Sequence, residues 1–132
     1  MMLVLDTCAL IYDALSPNSL SRKAVKAITK GDEDGLLACS DISLWEIAML
    51  ISKGRLDPGT DAVTFLRLLH SARQIRVFPI TPEIAATSAS SSLFVHGDPA
   101  DRIIAATAIV HKAELVTCDG HLSAVKGLRV IW

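Results

Sequence analysis

Five short aliphatic runs punctuate the chain, MLVL (2–5), LLAC (36–39), IRVFPI (75–80), ELVT (114–117) and LRVIW (128–132). Apolar periodicity puts helices between them, at 8–14, 21–30, 41–53, 60–73, 82–91 and 99–112. Strands joined through helices need crossover connections and therefore pair in parallel. A parallel sheet must be covered on both faces, and strands rich in β-branched and aliphatic residues suit that burial. The expected class is an α/β sandwich. Turn signals at SPNS (16–19), GDEDG (31–35) and LDPGT (56–60) mark connections without suggesting a second folding unit, and SASSS (88–92) is the one biased patch. The chain of 132 residues is expected to be a single domain, 1–132.

Hydrophobic residues make up 51% of the chain, and the mean hydropathy is +0.42. No apolar run approaches the ~18 residues of a membrane span, so the excess is expected in a core or an interface. Asp6 interrupts the first apolar run after five residues, which argues against a cleavable leader and for the cytoplasm. The cysteines Cys8, Cys39 and Cys118 form no CxxC pair and are odd in number, so reduced, buried thiols are expected rather than disulfides or structural zinc. His70, His96, His111 and His121 show no zinc-ligand spacing. A formal net charge of −1 neither demands nor excludes a polyanionic partner.

Two surface features read as ordinary. The run Asp32, Glu33, Asp34 between glycines suggests a solvated loop. Residues 60–76, with Arg67, Arg73 and Arg76 beside a stripe of Val63, Leu66 and Leu69, suggest an amphipathic surface helix.

In open α/β sheets, ligands bind at the carboxyl ends of the strands, so acids there carry weight. Asp6 ends the first strand and reads either as a helix N-cap or as a functional group. Asp119 follows the fourth strand by two residues and reads either as a turn residue in Asp-Gly or as a functional group. Glu46 shares a helix face with Ile42, Ser43, Met49 and Leu50. A carboxylate on that face needs a partner or a metal, the alternative being a pair with Lys53 or Arg55. Trp45 beside it reads as packing rather than as a base-stacking platform.

In DPADRIIAATA (98–108), Asp98 before Pro99 has the form of an N-cap with proline at the first helical position. Asp101 then lies in the first turn, where the helix dipole favours negative charge, yet it shares its face with Ile104, Ala105 and Ala108. Small alanines on that face would bring the helix close to the sheet and carry Asp101 toward the strand ends.

Asp6, Glu46, Asp101 and Asp119 would then meet at one sheet edge. Two unit charges ~4 Å apart repel by about 4 kcal/mol at an effective dielectric of 20, so such a cluster must take up protons or a cation. All-oxygen ligands select hard ions, Mg²⁺ or Mn²⁺, and suit hydrolysis of phosphate esters.

The order of Asp6 in LVLDTCAL, Glu46 in SLWEIAMLISKGRL, Asp101 in DPADRIIAATA and Asp119 in LVTCDGHL resembles that of the VapC-type PIN-domain ribonucleases, the toxins of toxin-antitoxin pairs. The resemblance runs along essentially the whole chain. It implies a three-layer α/β/α sandwich around a central parallel sheet, a homodimer, and Mg²⁺- or Mn²⁺-dependent endonucleolytic cleavage of RNA. It carries the family's acidic set onto Asp6, Glu46, Asp101 and Asp119, with Asp6 and Asp101 foremost as direct metal ligands. Thr7 and Thr117 match small hydroxyl positions that steady a carboxylate or a water beside the metal. Asp98 and Arg102 belong to a DPxDR variant of the third motif, Asp98 as cap first and ligand second, and Arg102 as a partner for either a carboxylate or a phosphate. The implied protein partner is a small cognate antitoxin whose basic segment enters the acidic site and whose remainder covers apolar grooves.

Two rivals remain on the sequence. A phosphoacceptor receiver domain needs an acidic pair after its first strand, an acceptor Asp after its third and a Lys after its fifth. Here a single Asp6 is followed by Thr-Cys, the third strand runs into Pro79 and Thr81, and the fifth stops at Trp132. A non-catalytic PIN-like binding scaffold would be expected to lose an acid, and all four are present.

Overall fold

A computed structural model of the chain describes residues 1–94 and 98–132; His96 lies outside the described residues. Five strands, β1 (Leu3–Leu5), β2 (Leu37–Ser40), β3 (Arg76–Phe78), β4 (Glu114–Val116) and β5 (Arg129–Ile131), form one sheet in the order β3-β2-β1-β4-β5. Every pairing is parallel, with Leu5 opposite Val116 and Leu3 opposite Leu37. β1 is thus central, and its carboxyl end is flanked by those of β2 and β4.

Alternation along these short strands divides the core in two. Leu3, Leu5, Leu37, Cys39 and Val116 face one layer with Leu10, Ile28, Ile47, Phe65 and Leu69. Val4, Ala38 and Leu115 face the other with Phe94, Ile104, Ala105, Ala108 and Leu122. Period-two alternation with both faces apolar is the signature of a covered parallel sheet, and the result is a three-layer α/β/α sandwich. The helices are α1 (Thr7–Leu15), α2 (Arg22–Glu33), α3 (Asp41–Ser52), α4 (Ala62–Ala72), α5 (Pro82–Ser88), α6 (Pro99–Val110) and α7 (Gly120–Ser123), with a 3₁₀ turn at Pro17–Ser19.

Four local expectations are corrected. Gly31, Asp32 and Glu33 are not loop but the last turn of α2, because Gly31 lets that turn lie against the sheet. A Cβ there would come 2.7 Å from Leu37 Cδ2. The helix stops one turn later, at Gly35 (φ 68°), where Leu36 N–H bonds to Gly31 O and Gly35 N–H to Asp32 O. Asp32 is not merely solvated, since its carboxylate accepts from Arg73 at 3.0 Å while Asp13 takes the Arg73 Nε–H at 2.7 Å. Arg73 thereby ties α1, α2 and the end of α4 together and is not a bystander on a surface helix. Within α4 the buried positions are Phe65 and Leu69, whereas Val63 is 56% exposed; the large ring of Phe65 sets the face that packs.

Among the described residues, no helix is long and apolar enough to cross a membrane.

Candidate active site

α1 and α7, which follow β1 and β4, and α6, which follows α5, begin on capping residues that are acids of interest. Asp6 caps α1, its Oδ1 accepting Ala9 N–H at 2.8 Å. Asp98 caps α6 through Asp101 N–H at 2.8 Å, with Pro99 as the first helical residue. Asp119 caps α7 through His121 N–H at 2.9 Å. Capping and chemistry are not exclusive readings here. Each cap engages one carboxylate oxygen, Oδ1, and the second oxygen is the one a cation could use.

Asp6 is buried, and its backbone N–H bonds to Val116 O on the neighbouring strand. Burial pushes its carboxyl above the usual range, hydrogen bonds from the Thr117 side chain and the Ala9 backbone oppose that, and the charge of Asp119 adds to it. Thr117 is itself buried, and its Oγ1 also accepts Asp119 N–H at 3.1 Å, so one hydroxyl links both acids.

Glu46 comes in from the middle of α3. Its Oε1 accepts the Thr7 hydroxyl proton at 2.5 Å, and it pairs with Thr7 rather than with Lys53 or Arg55. Burial raises its carboxyl, the Thr7 bond counters, and Asp98 and Asp6 raise it further. Thr7 lies 3.1 Å from the Ser43 hydroxyl, which is fully buried. Ser43 was visible only as one of the face-sharing neighbours of Glu46, one turn earlier on α3.

Asp101 is the most perturbed of the acids. Its carboxyl is pushed up to about 7, first by burial and then by the charges of Asp98, Glu46, Asp119 and Asp6. The buried Ile104, Ala105 and Ala108 behind it seat α6 on the sheet. Asp6, Glu46, Asp98 and Asp119 all act on Asp101 by charge, Asp98 most strongly, and Asp98 and Asp6 act on Glu46. Among the described residues, no cationic side chain figures among the influences on Asp6, Glu46 or Asp101. Arg102 pairs with no carboxylate among the described residues, and its Nε is buried without a hydrogen-bond partner.

The donor set fits a hard divalent cation in kind: it is all carboxylate, and Asp6, Glu46 and Asp101 are raised in proton affinity first by burial and then by neighbouring acids. It is open in form, since among the described residues no three His, Cys, Asp or Glu side chains close into a ready ligand group.

Three neighbours of the site differ from expectation. Cys39 is buried, but Cys8 and Cys118 are exposed. They follow the ends of β1 and β4, where the chain turns out of the sheet, and although Cys8 is exposed as a residue, partial desolvation of its thiol and then nearby charges including Asp6, Asp101 and Glu46 raise it to about 11. Trp45 is 57% exposed. It stands two residues from both Ser43 and Ile47, the buried positions of α3, and so about 200° around the helix from each.

The model of the PIN domain family matches residues 3–128. The chain belongs to the PIN-domain family. Among its relatives in this family is Ribonuclease VapC22 of Mycobacterium tuberculosis (strain ATCC 25618 / H37Rv), 38% identical over 119 residues that cover 90% of this chain and 88% of the relative. Solved PIN-fold structures that resemble it include VapBC2 from Rickettsia felis bound to a DNA fragment from their promoter, with a TM-score of 0.75 at 18% identity, covering 98% of this chain and 97% of that one. FitAcB from Neisseria gonorrhoeae superposes with a TM-score of 0.68 at 23% identity, covering 98% and 96%. At these identities the structural likeness speaks for the fold.

Proposed function

We propose that this chain is a divalent-metal-dependent endoribonuclease and the toxin of a toxin-antitoxin pair, built as one domain over residues 1–132 and working in the cytoplasm. The observation that carries the reading is the upward shift of Asp101 to about 7 by burial and by four neighbouring acids. Carboxylates held in mutual repulsion cost stability unless they serve a cation. The similarity to Ribonuclease VapC22 supports RNA as the substrate.

In this reading Asp6 and Asp101 are direct ligands of Mg²⁺ or Mn²⁺, and Glu46 and Asp119 complete the acidic set. The bound cation supplies a Lewis acid that polarises water and offsets charge on the phosphate. Thr7 fixes the Glu46 carboxylate through its hydroxyl. Thr117 steadies Asp6 and, through Asp119 N–H, the turn that carries Asp119. A cation held by these acids would favour the ionised form of Asp101, whose carboxylate could then accept a hydrogen bond from a water beside the phosphate. Arg102, one helical position after Asp101 and with its Nε buried without a hydrogen-bond partner, is a cation beside the acids that could meet an RNA phosphate.

A cognate antitoxin and a homodimer belong to the same reading. An apolar groove of about 380 Å³ between α1 and α4, lined by Leu10, Leu15, Phe65, Leu68 and Leu69, offers surface to an antitoxin helix. Leu15 and Leu68 are exposed there.

Cleavage of total RNA by the purified, antitoxin-free protein tests the function, with Mg²⁺ or Mn²⁺, with EDTA, and with Asp6→Asn prepared identically. Discrete fragments from wild type with metal alone are expected. A folded wild-type protein that yields no metal-dependent fragments and causes no growth arrest when expressed would point instead to a non-catalytic binding scaffold.

A further inference from the structure

Trp45 precedes Glu46 directly, and more than half of the residue's surface is open to solvent. An exposed tryptophan at a catalytic margin forfeits the burial that ordinarily justifies the residue. It forms, with Ile42, Pro99 and Ile103, the apolar lining of a hollow of about 490 Å³ between α3 and the start of α6. Glu46 and Asp98 stand in the same lining, so the hollow is continuous with the acid cluster.

We propose that Trp45 is a stacking platform for an unpaired nucleobase of the RNA, adjacent to the phosphodiester that is cut. This rests on the ribonuclease reading above. A flat π face beside apolar walls takes the face of a heterocycle, and stacking of this kind is tolerant of sequence. The acidic rim suits the edge of the same ring, because every RNA base carries an N–H donor on its Watson–Crick edge and a carboxylate only accepts. A second copy of the chain is the weaker occupant. With a two-fold axis at the hollow, Glu46 and Asp98 would stand against their own copies, a like-charge juxtaposition that disfavours association.

The chain has two tryptophans, so Trp132→Phe leaves Trp45 as the sole indole reporter. Stopped-flow mixing of that protein with an eight-nucleotide single-stranded RNA, in Mg²⁺, reads binding ahead of cleavage. Saturable quenching of Trp45 emission is expected. In steady-state cleavage, Trp45→Ala should raise KM by about tenfold with kcat little changed, and Trp45→Phe, which keeps a ring, should recover most of the loss. Absence of saturable quenching overturns the proposal, as does an unchanged KM in Trp45→Ala. It is equally overturned if Trp45 emission shifts with protein concentration without RNA and Trp45→Ala dissociates the oligomer in sedimentation, because a second copy then covers the indole. If wild type quenches on RNA but cuts nothing, the platform stands and the nuclease reading fails; if wild type cuts RNA without quenching, the reverse holds.

Discussion

Asp98 Oδ1 accepts the backbone N–H of Asp101 at 2.8 Å, so the acid that starts α6 also fixes the acid that faces the cluster from its first turn. After burial, the charge of Asp98 is the largest influence raising Asp101. Cap and charge can be separated by substitution. Asp98→Ser keeps an acceptor and should unfold in urea within a few tenths of a kcal/mol of wild type, whereas Asp98→Ala should lose about 1 kcal/mol. Both should lower the Asp101 titration midpoint followed by carboxyl NMR. Equal stability of the two variants would show that the cap contributes nothing.

The raised Asp101 carboxyl fixes the sign of a pH effect. Its folded value, about 7, exceeds the ~3.9 of an unperturbed Asp, so between those limits the folded state binds more protons than the unfolded state. Stability of the metal-free protein should therefore be highest near pH 4 as far as this group is concerned, and fall as pH rises through 7. Asp101→Asn should flatten that decline in a pH series of urea melts. A wild type that gains stability over this window in step with the variant would contradict the assignment.

Thr7 bridges α1 and α3 through its hydroxyl. Thr7→Val keeps the shape and removes the donor, leaving Glu46 half-buried without that bond. Loss of a group that orients a metal-site carboxylate typically costs 10- to 100-fold in activity or metal affinity. Thr7→Ser should recover most of the cleavage rate, and a fully active Thr7→Val would remove Thr7 from the account.

Arg73 offers a control away from the site. Its bonds to Asp13 and Asp32 are partly buried, and Arg73→Met should destabilise by about 1.5–3 kcal/mol in urea unfolding, the range for hydrogen bonds to charged groups. Metal affinity of the folded protein should not change. A drop in metal affinity at full stability would mean that Arg73 acts on the acid cluster.

The strands and the acids at their ends were legible because both depend on local pattern. Aliphatic runs of the right length mark β1 to β5, and Asp98-Pro99 announces its own helix start. The features that escaped depend on tertiary contact or on weak periodicity. Whether Gly31 extends α2 is decided by Leu37 on the adjoining strand. The partners of Arg73 lie 60 and 41 positions away in sequence. DISLWEIAMLIS is apolar on nearly every side, so periodicity could not say that α3 buries Ser43 and Ile47 and turns Trp45 outward. α7 and the 3₁₀ turn are too short to carry any period. The exposure of Cys8 and Cys118 follows from where the chain leaves the sheet, which no property of a lone cysteine encodes.

The central claim is that the repelling carboxylates hold a divalent cation, and Mn²⁺ binding followed by electron paramagnetic resonance at pH 7.5 tests it most directly. Wild-type protein should remove the free-ion signal saturably, and Asp101→Asn, with its fold verified by circular dichroism, should restore it. Equal Mn²⁺ uptake by the two proteins, or none by wild type, would contradict the account.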